Sequence, residues 1–117
     1  MASYLLMLYD NPTTMEGLSA EDMQRMFEKY MAWSDELEAK GQRLGGEKLT
    51  DGEGRVLRKE QGDIRVLDGP YGETKEVIGG FFMIKAESYD EAVEIARTCP
   101  HVAVYGSTVE VREIEEH

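Results

Sequence analysis

The chain has 117 residues, enough for one domain with a thin core and too few for two. Its 41% hydrophobic and 32% charged residues fit a globular protein rather than a disordered one. Twenty-four acidic against thirteen basic residues leave a net charge of −11, which repels phosphate backbones and anionic lipid, so neither nucleic acid nor a membrane surface is an expected partner.

The first element is Ser3 to Tyr9, apolar at both parities: Tyr4, Leu6 and Leu8 point one way, Leu5, Met7 and Tyr9 the other. Seven such residues predict a strand buried on both faces, stopped by Asp10, Asn11 and Pro12. Ser19 with Asp22 three residues on predicts a capped helix start. Met23, Met26, Phe27, Tyr30, Ser34 and Leu37 form its apolar stripe, and Gly41 is its left-handed stop. Arg43 to Leu49 reads as a weaker strand in which Gly45 and Gly46 suggest a bulge or a close backbone approach. Arg55 to Lys59 and Asp63 to Leu67 read as a hairpin turning at Gln61-Gly62, and Asp68 to Gly72 as a turn.

Gly79 to Ile84 is a second strand apolar on both faces. Ser88 with Glu91 caps a second helix, whose face carries Tyr89, Ala92, Val93 and Ala96 and whose end precedes Pro100. Val104 to Ile114 alternates as a last strand, with Tyr105, Ser107, Val109 and Val111 on one side and Thr108, Glu110 and Arg112 on the other. The order predicts one α+β domain over residues 1–117: a ferredoxin-like βαββαβ arrangement with an inserted hairpin, an antiparallel sheet and two helices on one face. Helices cover only one face, so the doubly apolar strands predict a homodimer formed by sheet-to-sheet packing.

One cysteine, Cys99, allows no internal disulfide and no thiolate metal cluster, and two distant histidines lack metal-ligand spacing; neither metal nor cofactor is expected. The N-terminus has no basic stretch followed by a long apolar run, so no leader or spanning helix is expected, and the cytoplasm is the natural compartment.

The segment D-G-P-Y-G-E-T-K-E at Asp68 to Glu76 resembles the D-G-P-F-x-E-T-K-E signature of the DGPF subgroup of YCII-related proteins, with Tyr71 in place of Phe. The resemblance continues through Y-L-L-M-L-Y at Tyr4 to Tyr9, I-G-G-F-F-M-I at Ile78 to Ile84, Cys99-Pro100, and Y-G-S-x-V-E-V-R at Tyr105 to Arg112. It implies a dimeric α/β-barrel built from two ferredoxin-like halves. Most members have no assigned reaction; some related proteins carry a proposed catalytic His–Asp pair, and one branch dehydrochlorinates a chlorinated hydroquinone. That pair needs a histidine in the first half of the chain, which this sequence does not have. The subgroup's association with extracytoplasmic-function sigma factors supplies a second expectation, a non-enzymatic regulatory role.

Among candidate catalytic residues Asp68 leads, since a carboxylate beside a Gly-Pro turn suits acid–base work; the plainer account is that it accepts backbone N–H groups of its own turn. His101, which follows Cys99-Pro100 inside the fold, is a second candidate because histidine is the side chain most often used to move protons, although a surface-loop histidine is the plainer account. Cys99 follows a helix end, where the dipole disfavours a thiolate, and reads as a small buried residue. Lys75 could clamp an anion or simply be solvated. Tyr4, Tyr9, Trp33, Phe82 and Tyr105 are candidates for lining a cavity, or are plain core. Glu110 and Arg112 share a parity and would be polar groups in an apolar cleft if that parity faced inward. These residues point to a small-molecule binder or enzyme with a pocket between sheet, helices and partner subunit.

Overall fold

Alternation along the first strand decides where the core lies. In β1 (Ala2–Asp10) Tyr4, Leu6 and Leu8 are buried, whereas Leu5, Met7 and Tyr9 are only partly so. In this computed structural model, which describes residues 2–11, 17–50, 54–68 and 76–116, β1 pairs antiparallel with β5 (Val77–Ala86) and β6 (Thr108–Ile114). With β2 (Arg43–Lys48) at the far edge, the sheet order is β2-β5-β1-β6, the ferredoxin-like order. Helices α1 (Ala20–Ala39) and α2 (Tyr89–Arg97) both pack on the Tyr4-Leu6-Leu8 face. There Trp33, Leu37, Ala92 and Ala96 join Ile84, Ala86 and Cys99 in the core.

Local chemistry sets the element ends. At the start of α1 the Ser19 hydroxyl accepts from Asp22 N–H at 3.1 Å and the Asp22 carboxylate accepts from Ser19 N–H at 3.2 Å. Gly41 ends the helix at φ +72. At α2 the Ser88 hydroxyl accepts from Glu91 N–H, but the Glu91 carboxylate reaches back to Glu87 N–H rather than to the cap itself. β3 (Arg55–Glu60) and β4 (Asp63–Asp68) pair as a separate two-stranded ribbon. Its turn puts Gln61 and Gly62 at φ +49 and +87, the doubly left-handed geometry whose twist suits a two-residue hairpin. No helix among the described residues is long and apolar enough to cross a membrane.

Two expectations need correction. The last strand begins at Thr108, not Val104, because Pro100 opens a one-turn helix, α3 (Pro100–Ala103). The Val104 and Tyr105 N–H groups close that turn onto the Pro100 carbonyl. His101 therefore lies in a helix and is 4% exposed, not in a surface loop. The first helix's apolar stripe is also only partly core: Ser34 and Leu37 are buried, Met26 and Tyr30 are half-buried, and Met23 and Phe27 remain exposed.

Candidate functional site

The exposed half of that stripe is one wall of a cleft of about 520 Å³, a volume suited to a small organic ligand. Met23, Met26, Phe27, Tyr30, Met31 and Ser34 of α1 face Gly46 of β2 and Gly79, Gly80 and Phe82 of β5. The glycines make the floor. A Cβ on Gly46 would lie 2.8 Å from the Phe82 ring and 2.9 Å from the Phe81 carbonyl, and one on Gly80 would lie 3.0 Å from the Glu47 carbonyl. Gly79 is the extra residue of a bulge opposite Leu8 and Tyr9, and a Cβ there would overlap the Asp10 carboxylate. The glycines thus serve close backbone packing, and one of them seats an acid.

That acid is part of the polar end of the cleft. Asp10 follows Tyr4, Leu6 and Leu8 in parity, so its carboxylate falls on the helix-covered face, and His101 meets it from α3. The Tyr9 carbonyl, which can only accept, lies 2.8 Å from His101 Nε2, so Nε2 carries the proton. In the neutral ring Nδ1 is then the free base, and it accepts from the Tyr30 hydroxyl at 2.7 Å. Asp10 Oδ1 stands 3.6 Å from Nε2, too far for a good hydrogen bond but close enough to stabilise positive charge appearing on the ring. Burial, and after it the neighbouring Cys99 and Asp10, holds the Tyr30 phenol well above the ordinary tyrosine range. The result is a line of groups: a phenol at the cleft wall, an imidazole behind it, a carbonyl fixing the imidazole tautomer and a carboxylate placed to stabilise charge on the ring.

The sequence-derived candidates divide among several places. His101 and Phe82 line this cleft, and Tyr105, in the turn after α3, stacks near Tyr30 with ring centres 6.0 Å apart. Trp33 sits behind the floor, its ring 5.0 Å from Phe82 and its indole N–H donating to Thr98. Tyr4 is core. Tyr9, Glu110 and Arg112 gather instead on the sheet face away from the helices: the Tyr9 hydroxyl donates to Glu110 at 2.8 Å, and Arg112 lies 3.6 Å from the same carboxylate. That bond is also the main reason the Tyr9 phenol is raised above its usual value. Asp68 is exposed at the end of β4, 3.5 Å from Arg55, and is not among the cleft-lining residues. Lys75 and the rest of the Gly69-to-Lys75 turn lie outside the described residues. Cys99 is fully buried, and burial pushes its thiol up to about 11.

Sequence reasoning missed Asp10, read as a strand stop, and Tyr30, read as part of the first helix's apolar stripe. Parity held a signal for the first, since Asp10 continues the buried series of β1. Among the described residues no group of three or more His, Cys, Asp or Glu side chains is placed to hold a metal ion.

Comparison with known proteins agrees with this architecture. The family model of the YCII-related domain matches residues 2–117. An uncharacterized protein of Rhizobium meliloti (strain 1021) is 39% identical over 59 residues, covering 50% of this chain and 48% of that protein, so the match spans about half the relative's length. Among solved structures, a 5-chloro-2-hydroxyhydroquinone dehydrochlorinase from Burkholderia phenoliruptrix, in complex with 2,5-dihydroxybenzoquinone, superposes with a TM-score of 0.55 at 18% identity, over 98% of this chain and 95% of that one. At that identity the likeness is one of fold.

Proposed function

The chain belongs to the YCII-related family, and from that premise we propose that it is a small-molecule enzyme that moves a proton on a compact, flat organic substrate held in the cleft. The observation that carries this reading is the Tyr30–His101 hydrogen bond, with Nε2 held by the Tyr9 carbonyl beside Asp10, opening onto a wall of methionine and aromatic side chains. The structural relative's ring-shaped ligand has the size and flatness this cleft suits.

The chemistry follows from the proton inventory. A free Tyr30 phenolate is disfavoured by burial, so the phenol works as a relay. As Tyr30 Oη takes a proton from the substrate, it passes its own to His101 Nδ1, and the imidazolium so formed faces the Asp10 carboxylate. Met23, Phe27 and Met31 shape an apolar surface for a ring, where the polar contacts at the far end count for more than in water.

A generic probe tests this directly. 5-Nitrobenzisoxazole is a flat aromatic that loses its ring C–H proton to a base as its N–O bond breaks, releasing a coloured cyanophenolate. Saturable turnover is expected, and Tyr30→Phe, which deletes only the relay oxygen, should lower it by about 10²-fold. Turnover by Tyr30→Phe equal to that of the wild type sinks the relay.

The same reading includes a homodimer. Register places Leu5 and Met7 beside Met83 and Phe81 on the helix-free face, all partly buried within one chain, while Leu57, Ile64 and Val66 on one face of the ribbon are exposed. Covering such side chains contributes roughly 1.5–3 kcal/mol each. Sedimentation at micromolar concentration should give a two-chain mass; a well-behaved monomer is the contrary result.

A further inference from the structure

Simple alternation would place Arg43 on the same face as Gly45 and Glu47, away from the helices. A bulge reverses this. Arg43 pairs with Ile84 and Gly45 with Met83, so Leu44 is the extra residue. Arg43 consequently shares the helix-covered face with Gly46 and Lys48, and it lines the cleft. Its guanidinium is poorly matched there. Nε is buried with no hydrogen-bond partner among the described residues, and Nη1 comes no nearer than 3.9 Å to Glu38 Oε2. A buried cationic N–H lacking an acceptor is unfavourable, and the deficit is made good when a ligand oxygen fills that position.

We propose that Arg43 is the anion-recognising residue of the cleft and that the substrate is a small organic acid. Its carboxylate meets Arg43, its ring lies between the α1 methionines and the glycine floor, and its reacting proton faces Tyr30. In a chain of net charge −11 the general field repels an anion, so recognition of one requires a local cation turned inward. The bulge supplies such a cation beside Lys48, which also lines the cleft but donates its ammonium to the Leu49 carbonyl at 2.9 Å, and a planar guanidinium is the group that pairs a carboxylate through two parallel N–H bonds. This inference rests on the proton-transfer reading of the same cleft.

Hydroquinone and 2,5-dihydroxybenzoate form the test, since they differ only by the carboxylate, with fluorescence of the single tryptophan, Trp33, as reporter through its contact with Phe82. The benzoate should bind at least about tenfold more tightly. Arg43→Gln should erase the preference while leaving hydroquinone binding within about twofold, and Arg43→Lys should restore it only in part. Equal binding of the two probes, or a preference that survives in Arg43→Gln, overturns the assignment. If the benzoate preference depends on Arg43 but Tyr30→Phe turns over benzisoxazole normally, the anion site stands and the proton relay falls. If the relay is confirmed and neither probe binds, the anion site falls alone.

Discussion

Replacing His101 with alanine should lower stability by about 2–4 kcal/mol and abolish turnover of the benzisoxazole probe. Two partners lose their bonds at once: the Tyr30 hydroxyl, 2.7 Å from Nδ1, and the Tyr9 carbonyl, 2.8 Å from Nε2. Each polar group left unsatisfied in a buried setting costs about 1–3 kcal/mol, and removal of a ring that is 4% exposed leaves a void as well. Tyr30→Phe, by contrast, strands only Nδ1 and should cost about 1 kcal/mol. Urea denaturation with an unchanged slope and a lowered midpoint measures both. Should His101→Ala and Tyr30→Phe prove equally stable, the imidazole is not the hub between α1, α3 and β1 that the hydrogen bonds describe.

The contrast between these two variants also marks how far the sequence could be read. The strands were legible because a period of two with large apolar side chains at both parities has few alternatives: Tyr4 to Tyr9 and Phe81 to Ile84 both became central strands. The α1 cap and the Gln61-Gly62 turn were legible because their chemistry is local. The site was not, because each part depends on something nonlocal. His101 reaches Tyr9 from 92 residues away, and no spacing rule records that meeting. Its burial turns on Pro100 opening a single helical turn where alternation alone suggested the approach to a strand. Arg43 is displaced to the cleft side by a bulge beside Gly45 and Gly46, which have no side chains to report parity. The exposed methionines of α1 share the helical period of its buried residues, so periodicity cannot separate a cleft wall from core. Glu110 and Arg112 were correctly paired by parity, but parity does not say which face the helices cover.

The protein should also lose stability as pH rises from about 9 to about 11, through the thiol beneath the site. Cys99 is fully buried between α2 and α3, and its carbonyl accepts from Val102 and Ala103 N–H, so the one-turn helix carrying His101 is built on it. Burial raises the thiol from 9.0 to about 11, with backbone N–H groups of His101 and Val102 opposing the shift. The unfolded chain therefore releases this proton first. Between the two values the unfolded state binds fewer protons than the folded one, so unfolding becomes easier with each increment of pH. The contribution is whole below the unfolded value and gone once pH passes the folded one. A difference of two pH units corresponds to about 2–3 kcal/mol. Tyr30, also raised by burial, acts in the same direction from about pH 10, the ordinary tyrosine value, upward. Cys99→Ala removes the titration and leaves a small void, so it should be about 1 kcal/mol less stable than the wild type at pH 8 and yet overtake it by pH 11. Urea midpoints across this range should therefore cross. Parallel curves would mean that the thiol ionises as readily in the folded chain as in the unfolded one, and that water reaches the floor beneath His101.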